Sequence, residues 1–350
     1  MTARRLLDHS GLISINSQHR IYSITFSDDG KQVLGGGVEG ILRRWRVDDG
    51  RQIGRGVRAN GAKIYAVAVS LDGKWLVCGL KFSDSNKEAR VGVWDAQTNE
   101  KVFDVHGHTD TVLSVDVSAD STKLATGGSD KLAFIWSITT GERLVGPLQH
   151  DGWVVAVRYS PRADRIATVT AENPNAKSIH IYDSDNGQLL LDIPFQAKAI
   201  ISSPLAWSAD GHQLLAVSYG ETKCFDTSSG SLRGKWIVPG KGQPVSIVLA
   251  HSGKFVAISS HNSLSFWDAL THEQIGIVIK HTSVIWSIAL SPDDDCVATG
   301  EENGQITLHS LRDILPDSYF FVRVSDQLHN GGESNMSWSI AILPFLSLAL

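Results

Sequence analysis

Few residue combinations in this chain have the types and spacing to do chemistry. His106 and His108, in "HGH", carry imidazole nitrogens that could bind zinc, but alternation along an extended chain does not by itself supply a third ligand. "WIVPGKGQP" resembles a phosphate-binding loop only superficially: five residues rather than four separate Gly234 from Gly240, and Gly242 stands where a hydroxyl must hold magnesium. There is no G-x-S-x-G nucleophile elbow and no H-E-x-x-H pair. The expectation is therefore a chain with no catalytic residue, no metal and no cofactor. Its alternative is an enzyme with convergent carboxylates or a bound cofactor in a central channel, a hydrolase or a quinoprotein-like oxidoreductase.

Bulk properties narrow the partners. The 350 residues are 42% hydrophobic, enough for a sizeable core, and the net charge of -5 gives no global attraction to nucleic acid or an anionic membrane. Cys78, Cys224 and Cys296 fall in apolar strand-like runs, as small core residues do. With no apolar stretch of signal-peptide length in "MTARRLLDHSGLISIN", an intracellular location is expected, with cytoplasm and nucleus unresolved. Near the other end, residues 338–350 form an apolar run interrupted by Pro344, too short to span a bilayer and expected to pack or fray; a weak partner or membrane contact is the sharper reading.

The elements that would position any site follow from a repeat. Aromatic or His landmarks stand at Trp45, Trp94, Trp136, Tyr182, Phe225, Trp267 and His309, in steps of 49, 42, 46, 43, 42 and 42 residues. Upstream of each lies a turn opened by Ser27, Ser70, Ser118, Ser160, Ser208, Ala250 or Ser291, in forms such as "FSDDGK" and "WSADGH" that supply the Asp and Gly of a tight hairpin. One unit reads as strand a ("VLSVDVS"), strand b ("LATGG"), strand c ("AFIWSI") and strand d ("RLVGPLQ"), with period-2 alternation and no helical period. Seven such units predict an all-β, seven-bladed β-propeller of four-stranded antiparallel blades.

The segment "GHTDTVLSVDVSADSTKLATGGSDKLAFIWSITTG" resembles a repeat of the WD-repeat propeller family, and the Trp-Asp pair itself survives at Trp94-Asp95 and Trp267-Asp268. The resemblance covers residues 12–312, leaving an arm at 1–11 and a tail at 313–350. It implies a buried structural set of His108, Thr126, Asp130 and Trp136, which removes His108 from the metal candidates. In blade seven His281 and Thr299 are kept, while Asn303 and His309 stand in place of Asp and Trp. The basic residue that marks cullin-ligase receptors of this family is missing, since Gln97 and Leu270 occupy its positions.

Ring closure requires an outer strand for blade seven. Residues 12–16, "LISIN", are expected to provide it, with 319–324 as the competing segment.

Strand alternation puts the b-to-c and d-to-a turns on one face. Two b-to-c turns there are lengthened, around "KFSDSNKE" and "AENPNAKS". Strand a opens on the same face, where Arg20, Tyr22, Lys63, Tyr65, Thr111, Trp153 and Trp286 form a candidate partner-binding rim, of residue types that dominate binding hot spots. At the equivalent places in blades five and six stand Ile201, Ser203, Gln243 and Val245. The family resemblance implies the same channel mouth. Residues 41–63 add seven Arg/Lys against two Asp, either a docking surface for an acidic partner or solvated charges on an outer edge. The expected function is a non-catalytic scaffold for protein or peptide partners, within a larger complex, without nucleic acid and without stable membrane insertion.

Overall fold

The computed structural model describes residues 13–82, 89–171, 179–195, 204–218, 220–239 and 244–320. The two lengthened turns at 83–88 and 172–178, the arm, and the tail beyond 320 lie outside the described residues, as do Ile201, Ser203 and Gln243.

Seven four-stranded antiparallel sheets make up the molecule. Their innermost strands are Ile21–Phe26, Ala62–Val69, Val112–Val117, Trp153–Tyr159, Leu205–Trp207, Val245–Leu249 and Ile285–Leu290. Each lies beside the innermost strand of the next blade, and the seventh lies beside the first, so the ring is closed. No helix among the described residues is long and apolar enough to cross a membrane.

The same turn chemistry fixes five of the seven a-to-b hairpins. The Ser27, Ser70, Ser118, Ser208 and Ser291 hydroxyls donate to the Asp two residues on at 2.6–2.7 Å. The same oxygens accept the N–H that starts strand b, as Ser118 Oγ does from Lys123 at 2.9 Å. The serine-to-aspartate bond, followed by a backbone N–H from Lys31 or His212, holds the Asp29 and Asp210 carboxyls below their ordinary range.

Packing is between blades. Seven apolar clusters are present, each drawing mainly on two adjacent blades. The cluster between blades seven and one, for example, joins Ala298, Ile306 and Leu308 to Ile24, Phe26, Val33 and Trp45. Side chains also satisfy the exposed edges of the inner strands. Ser287 Oγ accepts from Ile24 N, Ser23 Oγ from Val67 N, and Ser114 Oγ from Val157 N, each across a blade junction.

Closure comes from the N-terminal strand Ile13–Asn16, which pairs antiparallel with Gln305–Ser310, Ile13 opposite Leu308 and Asn16 opposite Gln305. Its Ile15 is buried in the seventh junction. Of the competing segment, Tyr319 belongs to a short 3-10 turn and 321–324 lie outside the described residues.

The described residues after the last blade pack back onto the ring. Leu311, Leu315 and Phe320 are buried with Phe255, Phe266 and Val297 between blades six and seven, and Tyr319 Oη donates to Asp268 at 2.7 Å. Packing of the propeller thus reaches Phe320.

Removal of residues 1–18 takes away the outer strand of blade seven and exposes Leu308 and Ile306. The truncated chain is expected to melt at least about 10 °C lower, or to aggregate; an unchanged melting temperature would show that closure does not depend on this strand.

Candidate functional site at the channel mouth

The inner strands enclose a channel of about 430 Å³ along the ring axis. Among the described residues, five inner strands carry a β-bulge at the end where strand a begins. The register slips at Tyr22 between Ile21 and Ser23, and at Tyr65 between Ile64 and Ala66. It slips likewise at Leu113, Val155 and Trp286. A bulge re-aims the extra side chain relative to the pleat, so these five residues leave their strands' alternation at one level of the channel. Blade six has none: Val245 and Ser246 pair with Ser260 and Ser259 without a slip.

Three of the bulged side chains touch. Tyr22 and Tyr65 stack with ring centroids 4.8 Å apart and 13° between planes, and Trp286 meets Tyr22 edge-on at 5.5 Å. The Arg20 guanidinium lies 5.9 Å from the Tyr22 ring and 5.5 Å from the Trp286 ring, within cation–π range. It is also ion-paired to Glu302 of blade seven. Tyr22, the middle ring, is buried, whereas Tyr65 and Trp286 are half-buried and keep surface towards solvent. Burial, then the neighbouring Tyr22, raises the Tyr65 hydroxyl above its ordinary pKa.

The other rim candidates divide. Trp153 and Tyr65 both pack against the cluster holding Leu113 and Val155, which extends the apolar arc across blades two to four. Lys63 is half-buried and makes no ion pair among the described residues. Thr111 is buried; its N–H and hydroxyl bond Asp110, and its carbonyl accepts from Ser129. Thr111 serves the turn and is not presented to a partner. Glu302, which positions Arg20, carried no signal in the sequence.

The His108 set is a closed hydrogen-bond chain. Asp130 lies 2.8 Å from His108 Nδ1, Thr126 Oγ1 lies 2.8 Å from Nε2, and Trp136 Nε1–H donates to the same Thr126 oxygen at 2.9 Å. Asp130 also accepts from Thr109 N and Leu132 N. If Nδ1–H donates to Asp130, then Thr126 O–H donates to Nε2 and every member is partnered. Both ring nitrogens of His108 are thus occupied.

Blade four holds a second such set that sequence reasoning missed. His150 Nε2 is 2.9 Å from Thr168 Oγ1 and 3.3 Å from Tyr182 Oη, and Nδ1 is 3.0 Å from the Leu148 carbonyl. The signal was present, because His150 and Thr168 are 18 apart, as His108 and Thr126 are. In blade seven His281 does not bond Thr299. Its Nδ1 meets Glu301 at 2.9 Å, Thr307 donates to the same carboxylate, and the Thr299 hydroxyl has no partner.

The geometry defines a closed propeller with a repeated His-centred staple and an aromatic channel mouth. Comparison with known proteins agrees. The family model "WD domain, G-beta repeat" matches residues 99–137 and 272–310. Protein groucho of Drosophila melanogaster is 26% identical over 305 residues, 86% of this chain and 34% of that protein. The chain spans about a third of that relative's length. The chain is a seven-bladed β-propeller, two of whose repeats match the WD-repeat family model. Both matched segments run from the d strand, or the turn before it, of one blade through strands a, b and c of the next.

Two predictions follow from the staples. Thr126→Val keeps the shape but strands His108 Nε2 and Trp136 Nε1 in the core, at a cost of roughly 2–4 kcal/mol in chemical denaturation. Thr299→Val, which removes an unpartnered hydroxyl, is expected to cost less than about 0.5 kcal/mol.

The second concerns pH. Burial, then His180, lowers the His150 pKa to about 4, and burial, then His281, does the same for His309. An unfolded chain takes up both protons near pH 6.5, before the folded one does. Stability is unaffected above that pH, falls as pH drops towards 4, and then levels, with each group contributing on the order of 3 kcal/mol. Melting temperatures between pH 7 and 4 check this; in His150→Gln the fall over that window should be shallower.

Proposed function

We propose that this protein is a non-catalytic interaction module that holds an extended polypeptide segment of a protein partner at the channel mouth of blades seven, one and two, as a subunit of a larger complex. The observation that carries this reading is the level of five bulges, which gathers Tyr22, Tyr65, Leu113, Val155 and Trp286 at one end of the channel. Bulges interrupt pairing, and a bulge repeated at one level has a use there in aiming side chains. The half-buried faces of Tyr65 and Trp286 offer rigid amphipathic area at low entropic cost, and Arg20 adds a charged donor. Trp153 extends the arc and Lys63 flanks it. The WD-repeat architecture and the relationship to protein groucho support a scaffold. Three free, buried or half-buried thiols suit a reducing, intracellular setting.

A photo-crosslinking amino acid at His19, beside the mouth, is expected to capture the partner in cells. The same group at Leu270, an exposed turn residue on the other face, should not. Trp286→Ala should remove the His19 crosslink while the melting temperature stays within about 3 °C. Crosslinks from Leu270 alone would place the partner elsewhere.

A further inference from the structure

The basic run of blade one divides into two halves in space. Arg43 is paired with Glu39, Arg46 with Asp49, and Arg44 donates to the Ala96 carbonyl at 2.8 Å and to Asn99 Oδ1 at 2.6 Å across the junction with blade two. These three are structural, as solvated and clasping charges. Arg58 and Lys63, further along, make no ion pair among the described residues, and neither does Lys81. Lys63 stands directly opposite Lys81 in the register of the first two strands of blade two, two positions before Tyr65. Like charges directly opposite one another are destabilising. Here the pair meets no described carboxylate, and it sits where the d-to-a and b-to-c turns of the mouth face emerge. Arg58 ends the outer strand of blade one from which the chain passes to Lys63. Among the described residues Lys63 and Lys81 thus form an unpaired cationic step beside the stacked rings, and Arg58, which shares the field of Glu39 with Arg43, carries positive charge on to the outer edge of blade one.

Resting on the reading of the mouth as a partner site, we infer that its occupant is an acidic polypeptide segment, with carboxylates on Lys63, Lys81 and Arg58 and an apolar or aromatic side chain against Tyr65 and Trp286. The opposite face carries the turn aspartates, among them Asp29, Asp72, Asp120, Asp210 and Asp293. With a net charge of -5 the long-range field repels a phosphate polymer. A short acidic peptide needs only the local cations, whose reach in physiological salt is about 8 Å.

The test uses the full chain and three labelled synthetic peptides that share one central Trp and differ only in flanking Glu, Gln or Lys, with an oligothymidine of similar length as competitor. The Glu peptide is expected to bind about tenfold tighter than the Gln peptide, with the advantage lost in high salt and in the double variant Lys63→Glu, Lys81→Glu. The single variant Lys63→Glu replaces repulsion by attraction opposite Lys81. It should melt no lower than the parent and still lose most of the advantage. Trp286→Ala should weaken the Glu and Gln peptides alike. Equal binding of Glu and Gln peptides, an advantage that survives both variants, or displacement by the oligothymidine would overturn the acidic partner. If His19 still crosslinks a partner in any of those cases, the mouth remains the site and only its charge preference is refuted. If that crosslink is missing as well, both readings fall.

Discussion

A four-stranded blade cannot bury both its faces alone, and every other feature of this molecule depends on that constraint. Each of the seven apolar clusters is assembled mainly from two neighbours, so a missing neighbour anywhere would expose a core face such as Val33 and Trp45 or Phe255 and Phe266. The ring therefore has to close, and the closing contact joins the two ends of the chain through Ile13–Asn16 and Gln305–Ser310. The offset of sequence repeat against blade makes this possible. A repeat that contributes its first strand to the preceding blade leaves, at the N-terminus, one strand with no blade to join except the last. The register Ser14 opposite Thr307 and Ile15 opposite Ile306 keeps the apolar Ile15 on the core side.

Closing a ring of sheets leaves a second difficulty at the centre, where the innermost strands present an unpaired edge. Short polar side chains of one blade meet that edge in the next. Ser23, Ser114 and Ser287 each accept one backbone N–H, and Asp116 accepts from Tyr159 N at 2.7 Å in line with the Ser114 bond. Burial raises the Asp116 carboxyl, opposed by Arg158 and by that N–H. At the next junction Trp207 Nε1 donates to the Arg158 carbonyl at 3.1 Å, so the same task is done from the opposite side. An edge satisfied in this way cannot recruit another strand, which is one route by which sheet proteins avoid association.

Architecture was legible because the physics that sets it is local. A Ser-x-Asp turn must be spelled out in the sequence since its own side chains make it, as Ser70 and Asp72 do. The alternation around Val112–Val117 announces a strand whatever it pairs with. The staple of blade four was equally readable from the 18-residue separation of His150 and Thr168, but Tyr182 in place of Trp masked it. What could not be read is which of two nearby partners a side chain chooses, or which distant one it reaches. Glu301 displaces Thr299 as the partner of His281, and Glu302 reaches Arg20 across 282 residues. The bulges belong to this second group. Tyr22 or Trp286 could have followed strict alternation, and only the register against Gly36 or Gly300 shows that they do not.

The bulges also explain why the mouth differs from the rest of the channel. In a regular strand the side chain between two inward positions turns into the blade junction, where a Tyr or Trp would have to fit among small residues such as Gly36, which approaches Ile64 and Val67 closely. Slipping the register by one residue moves that ring out of the junction and towards the axis, at the cost of one interrupted ladder position. Rings displaced from three consecutive blades then meet each other, and Arg20 with Glu302 clamps the outermost of them across the seam where the chain ends are joined. The closed ring behind them fixes these rings against one another. For the partner segment proposed above, this leaves mainly its own ordering as the entropic cost, the condition under which a small apolar patch of half-buried aromatics binds with useful strength.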